Sequence, residues 1–388
     1  MSDRHTGDPR VEGPPETRDR AVWSEVDLDA IRHNVRVLRE TAGAAELLAV
    51  VKANAYGHGA VPVARAVLDA GAAWLGVARV EEGVQLRGAG IDAPVLLLSE
   101  APTWAADAVV ANGITPVVYT EAGIDAIAKA VALSSSTTVS VHLKIDTGMH
   151  RVGCAPEEAI TLAEQVAARD ELTLGGVCTH LAVADEPGDP YTAEQLAAFD
   201  AAILELRARG MDPGLLHAAN SAATLGCPPA RYDLVRPGIS VYGIPPSRDL
   251  ADRADLRAAM TLTARVTFVK SLPAGARLSY GLRYELARPA RIATVPAGYA
   301  DGVPRNLGIA GGEVLIGGRR YPIAGIVTMD QLMVDVGDDE VEAGDEVVLL
   351  GPQGDDEVTA LEWADHLGTI SYEIVTGIGA RVPRRYRG

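Results

Sequence analysis

Cysteine is scarce in this chain: Cys154, Cys178 and Cys227 are the only three in 388 residues. They are widely separated and fall in no metal-type spacing, so neither a disulfide framework nor a metal is expected. Such cysteine usage points to a reducing compartment, with the cytoplasm as the expected location. Long apolar runs are also missing, and nothing in the sequence reaches the length needed to span a bilayer. The first twenty residues, "MSDRHTGDPRVEGPPETRDR", lack the apolar segment of a signal peptide and read as a disordered tail over residues 1–20. Positive charge is in deficit, with 35 Lys and Arg against 52 Asp and Glu and a net charge of −17. An acidic surface repels phosphate backbones and anionic membranes, which argues against nucleic-acid and membrane partners.

What is present is a soluble, globular composition, 48% hydrophobic and 22% charged, in a chain too long for one ordinary domain. In "SEVDLDAIRHNVRVLRETAG", Ile31, Val35 and Leu38 recur at helical spacing, with Asp27 or Asp29 as the cap and Gly43 as the stop. The run Leu47–Val51 reads as a buried strand. Further strands are expected at Trp74–Ala78, Val95–Leu98, Thr115–Val118, Val139–Ile145, Leu174–Thr179, Leu215–Ala218 and Asp233–Val235, with helix-like segments between them. About eight βα units in about 230 residues suit a (β/α)₈ TIM-type barrel over residues 21–255. The competing architecture is a doubly wound open sheet, which usually carries a Gly-rich fingerprint after its first strand; none occurs here. Beyond residue 255 the segments are short, β-branched and punctuated by Gly, Pro or Asp, the pattern of a mainly-β domain over 256–388.

The chemistry gathers where the expected strands end. "LLAVVKANAYGHG" runs from an apolar strand straight into Lys52. A lysine against an apolar wall loses hydration, its pKa falls, and the neutral amine that attacks a carbonyl becomes available. Taken alone, Lys52 is better explained as a strand-end lysine reaching into solvent. The fifth strand delivers Lys144, Asp146 and Arg151, the sixth His180 and Asp185, the seventh Asn220 and Ser221, and the eighth Arg236 and Gly238. Each has a plain structural alternative: a satisfied core histidine for His180, a rim salt bridge for Arg236, a helix cap for Ser221. Active sites of such barrels form at this rim. A reactive lysine beside a glycine turn and a hydroxyl suited to phosphate points to pyridoxal 5′-phosphate. Arg236 on the eighth strand cannot accept a proton from the pyridine ring, so it leaves that nitrogen unprotonated and the ring a weaker electron sink.

"AVVKANAYGHG", "KIDTGMHRVG", "THLAVADE", "ANSAA", "VRPGISVYG", "LSYGLRY", "GYADG", "TMDQ" and "SYEI" occur in the order found in the alanine racemases, which the chain resembles from about Trp23 to Tyr386. The resemblance implies a pyridoxal 5′-phosphate-dependent isomerase, a fold-type III barrel followed by a β domain, that interconverts L- and D-alanine and supplies D-alanine for peptidoglycan. It also implies a homodimer with shared active sites acting on a small amino acid. Lys52 matches the Schiff-base lysine and one of two racemising bases; Tyr280 in "LSYG" matches the other, contributed by the second subunit. Two bases are needed because racemisation removes the Cα proton from one face and returns one to the other. Free tyrosine has a pKa near 10, and His180 and Arg236 resemble the relay whose positive charge would favour the phenolate. Arg151 resembles the residue that contacts the cofactor oxygen and the substrate carboxylate. Lys144 matches a position carbamylated in many members, against the simpler prospect of an ion pair with Asp146. Met329 resembles a backbone contact to the substrate carboxylate. Tyr56, Ser221, Gly238, Ile239 and Tyr372 match phosphate-binding positions, and Asn220 and His180 join the cofactor set. Tyr299 and Tyr372 resemble an entrance gate, with Asp185 and Asp330 in the same corridor.

Two departures stand out: Thr328 where cysteine is common, and Ser371 in place of a frequent proline. Both imply a tuned entrance with proton transfer intact. Two other racemase activities, on serine or on a broad range of amino acids, would use the same motifs. A decarboxylase of similar architecture needs a cysteine base and an acidic group at the pyridine nitrogen, which Tyr280 and Arg236 replace. A non-catalytic cofactor carrier would resemble only the first domain.

Overall fold

The computed structural model describes residues 21–134 and 137–388; the tail expected over 1–20 lies outside the described residues. The chain forms two compact units, one of residues 30–55 and 59–257, the other of residues 21–29, 56–58 and 258–388.

In the first unit, parallel strands alternate with helices. Glu46–Val50, Trp74–Val77 and Val95–Leu97 pair in sequence order, with Leu234–Val235 on the far side of the first strand. Val117–Val118, Val139–Lys144, Leu172–Cys178 and Leu215–His217 form a second parallel set. A bridge from Leu96 to Thr115 joins the two sets on one side. On the other, the Asp233 and Arg236 N–H groups donate to Leu216 O (3.0 Å) and Ala219 O (2.9 Å). The ring therefore closes as an eight-stranded barrel with no open sheet edge. The strands lie within a residue or two of their expected positions. The fourth and eighth are only two residues long; Pro116, which has no N–H to give to a ladder, directly precedes the fourth. Alternate residues of a strand share a face, so Val139–Lys144 presents His142 and Lys144 together, and both are buried.

In the second unit Val22–Asp27 pairs antiparallel with Met260–Arg265 and parallel with Arg384–Arg387. Residues 21–29, grouped with the barrel in the sequence, thus belong with the strand-rich unit. The basic end "RRYR" is a sheet strand, and its pairing satisfies the backbone of Val22–Asp27 on one side. These strands belong to a seven-stranded sheet; a three-stranded sheet joins Phe268–Leu272, Ala290–Val295 and Leu332–Gly337. Leu278, Leu286, Ala290, Ile292 and Ala324 form a buried cluster. Among the described residues no helix is long and apolar enough to cross a membrane.

Candidate active site

The first barrel strand does not run directly into a regular helix. After Lys52, Ala53, Asn54, Ala55 and Tyr56 all have positive φ, between 51° and 54°. A left-handed conformation costs a non-glycine residue roughly 1–2 kcal/mol, so the turn needs outside support. The Asn54 carboxamide oxygen accepts from Ala60 N–H at 2.9 Å. Glu82 Oε1 accepts from Ala53 N–H at 2.6 Å. Its other oxygen accepts from the N–H groups of Ala78 (2.8 Å) and Arg79 (3.1 Å), at the start of helix Val80–Gly88. Burial lowers the Lys52 pKa, Arg151 lowers it further, and Glu82 pulls the other way. The amine is thus more readily neutral than an exposed lysine.

Arg236 is buried just past the eighth strand, and its hydrogen-bond partners are neutral. Its guanidinium donates to His217 Nδ1 (2.9 Å), Thr179 O (2.8 Å) and Ala218 O (3.1 Å), and lies 3.4 Å from His180 Nδ1. Because Arg236 can only donate, His217 Nδ1 must accept. His217 Nε2 then carries the proton and can donate to His142 Nδ1, 2.8 Å away. Burial first, and Arg236 second, hold His142 down at about 4 and push His217 and His180 well below the usual imidazole range. All three imidazoles are neutral near pH 7. The positive charge in this cluster rests on Arg236, because burial next to a cation disfavours a second one.

Lys144 is buried, with its amine 3.4 Å from Leu98 O. The Asp146 carboxylate accepts from the Gly148 and His150 N–H groups (3.1 and 3.0 Å), and its charge favours the Lys144 ammonium against burial. Burial leads the lowering of the Lys144 pKa, as it does for Lys52. Arg151 is exposed at the rim, close enough to lower both lysines.

The seventh and eighth strands meet at Ser221, whose Oγ accepts from Gly238 N–H at 2.8 Å and from Ser240 N–H at 3.4 Å. Ile239 begins the short 3₁₀ turn Ile239–Tyr242. The Asn220 side chain is engaged as a cap, accepting from Ala223 N–H and donating to Leu181 O. The Asp185 side chain is exposed, while its carbonyl accepts from Ser247. The donor set suits pyridoxal 5′-phosphate: a desolvated amine, a buried guanidinium unable to take up a proton, and a hydroxyl-plus-glycine turn able to face phosphate.

The strand-rich unit carries the remaining expected residues. Tyr56 is buried, and its ring lies 6.1 Å from that of Tyr372. Tyr280 stands out from a turn in which Ser279, Gly281 and Leu282 have positive φ, and it is 71% exposed. The Tyr299 turn rests on the Met329 loop: Tyr299 and Ala300 N–H donate to Thr328 O (2.9 Å) and Met329 O (3.0 Å). Arg381 ties the two together through Asp301 (3.1 Å) and Asp330 (2.9 Å). Sequence reasoning missed Glu82, His217 and His142. Only Glu82 left a trace, as an acid at the third position of a predicted helix.

Residues 26–246 match the family profile described as alanine racemase, N-terminal domain, and residues 259–386 match alanine racemase, C-terminal domain. An alanine racemase of Symbiobacterium thermophilum is 50% identical over 370 residues, covering 95% of this chain and 98% of the relative. One from Thermobifida fusca is 47% identical over 372 residues, 94% of this chain and 98% of the relative. The crystal structure of alanine racemase from D-cycloserine-producing Streptomyces lavendulae has a TM-score of 0.90 at 45% identity, covering 97% of this chain and 98% of that one. Alanine racemase from Bacillus anthracis, crystallised with bound L-Ala-P, gives a TM-score of 0.89 at 40% identity, with 95% of each chain covered.

Proposed function

The chain belongs to the alanine racemase family, and on that footing we propose that its own residues interconvert L- and D-alanine by a two-base route, supplying D-alanine for peptidoglycan. Pyridoxal 5′-phosphate supplies the electron sink that acidifies the Cα–H of a bound amino acid. Lys52 holds the cofactor and, as a free amine, takes or returns the Cα proton on one face. Its half-buried place at the end of the first barrel strand is the observation that carries this reading, because loss of hydration favours the unprotonated amine that can act as nucleophile or base. Tyr280 of the partner subunit serves the opposite face, and neutral His180 passes the influence of the Arg236 charge toward it.

Arg236, whose guanidinium plane is held by the carbonyls of Thr179 and Ala218 and the ring of His217, would face the pyridine nitrogen. Ser221, Gly238 and Ile239 would hold the phosphate; Tyr56 and Tyr372 match further phosphate-binding positions of the family. Arg151 and the Met329 backbone bind the substrate carboxylate, and Lys144, carbamylated or free, braces Arg151. Tyr299, Tyr372 and Asp185 narrow the entrance to small side chains. A second copy of the chain completes the site. Supporting this, Tyr280, Leu282, Tyr299 and Met329 are 71%, 49%, 42% and 52% exposed in one chain, a cost that burial against a partner removes. The free cysteines Cys154, Cys178 and Cys227 fit a cytoplasmic location.

Chiral chromatography of incubations started from either enantiomer tests the assignment. The wild type brings both to the same mixture, and Lys52→Ala abolishes conversion in both directions. A Lys52→Ala protein of normal activity would defeat the proposal.

A further inference from the structure

We infer that Glu82 is a positioning residue for Lys52: its carboxylate bridges Ala53 N–H on one side and the Ala78 and Arg79 N–H groups on the other, and so holds the left-handed turn that carries the amine. This deepens the proposed function and rests on its assignment of Lys52. Three N–H donors converge on two oxygens. Only a carboxylate offers an acceptor on both sides, because a glutamine amide would turn its own NH₂ toward one set of donors. An ordinary helix cap would need the Arg79 side alone. The Ala53 bond is what reaches back to the residue after Lys52, across 29 positions of sequence. That contact braces the first of four consecutive left-handed residues, where the backbone has most to gain by relaxing. Lys52 is faced by the Glu82 carboxylate, the Arg151 guanidinium and the His180 imidazole. Glu82 is the acid among them, so its charge opposes the lowering by burial and by Arg151.

The test uses the full-length chain, depleted of cofactor and then mixed with pyridoxal 5′-phosphate across a range of pH. Capture is followed by absorbance. The amine nitrogen bonds to the aldehyde carbon, and one water leaves, carrying the aldehyde oxygen and two protons. Borohydride then adds hydride to the carbon and water adds a proton to nitrogen, which fixes the adduct for mass spectrometry. Glu82→Gln is expected to lower the limiting capture rate at least about tenfold, as misplacement of a reacting group does. It is also expected to move the half-maximal rate to lower pH. Glu82→Ala should show the same two changes. Wild-type capture with an unmoved pH profile in both variants overturns the inference. So does a lower Tm with unchanged capture by the folded protein, which would leave Glu82 a helix cap only. An adduct on a residue other than Lys52 in the wild type overturns the site assignment itself, and the role of Glu82 with it.

Discussion

His142 and His217 sit one behind the other beneath Arg236, and their tautomers follow from a single fact: a guanidinium cannot accept a hydrogen bond. Their depressed pKa values have a consequence for stability. An unfolded histidine takes up a proton near pH 6.5, whereas His142 in the fold does so only at about 4. Between those values the unfolded chain binds more protons, so stability is full above pH 6.5 and declines as pH falls toward 4. Urea unfolding at pH 7 and pH 4.5 should differ by on the order of 2 kcal/mol through His142. His142→Gln, which keeps an acceptor for His217, should flatten that decline; an equally steep slope in the variant would contradict the assignment. At this scale the sequence was legible wherever a reactive residue ended an apolar run, as Lys52 and Arg236 do. It was not legible for His142, whose partner lies 75 positions away, or for Glu82. Such roles come from closure of the barrel and leave no local spacing.

At the scale of elements, the decisive pieces are turns. The Gly298–Gly302 turn and the Thr328–Gln331 turn approach so closely that a Cβ on Gly298 would lie 2.2 Å from Met329 O and 2.4 Å from Thr328 O. Both obstacles are backbone, so the turns must part. Gly298→Ala should destabilise the protein by about 1–3 kcal/mol. Because these turns carry Tyr299 and Met329, it should also raise KM for alanine more than it lowers kcat. Thermal unfolding and steady-state kinetics check both effects, and unchanged values would show that the turns do not act as one unit. Periodicity revealed the strands to within a residue or two, since apolar runs mark them well. It did not reveal the left-handed turn after Lys52. Ala53 and Ala55 carry no local signal for positive φ, and the conformation is imposed by Glu82 and Asn54.

At the scale of the molecule, the motifs spread from Trp23 to Tyr386 made the family resemblance readable before any fold. The assignment of the first strand was not readable. Val22–Asp27 pairs in parallel with Arg384–Arg387, from the opposite end of the chain, and no pattern in either stretch names its partner. The central claim is that each site takes Lys52 from one chain and Tyr280 from another. Lys52→Ala and Tyr280→Phe chains, each of which lacks one base, can be co-expressed with different tags and the mixed dimer isolated. That dimer has one site with both bases restored and one site with neither. Alanine racemisation by the mixed dimer, from two parents that each lack it, is the predicted result. A mixed dimer as inactive as its parents would contradict the account.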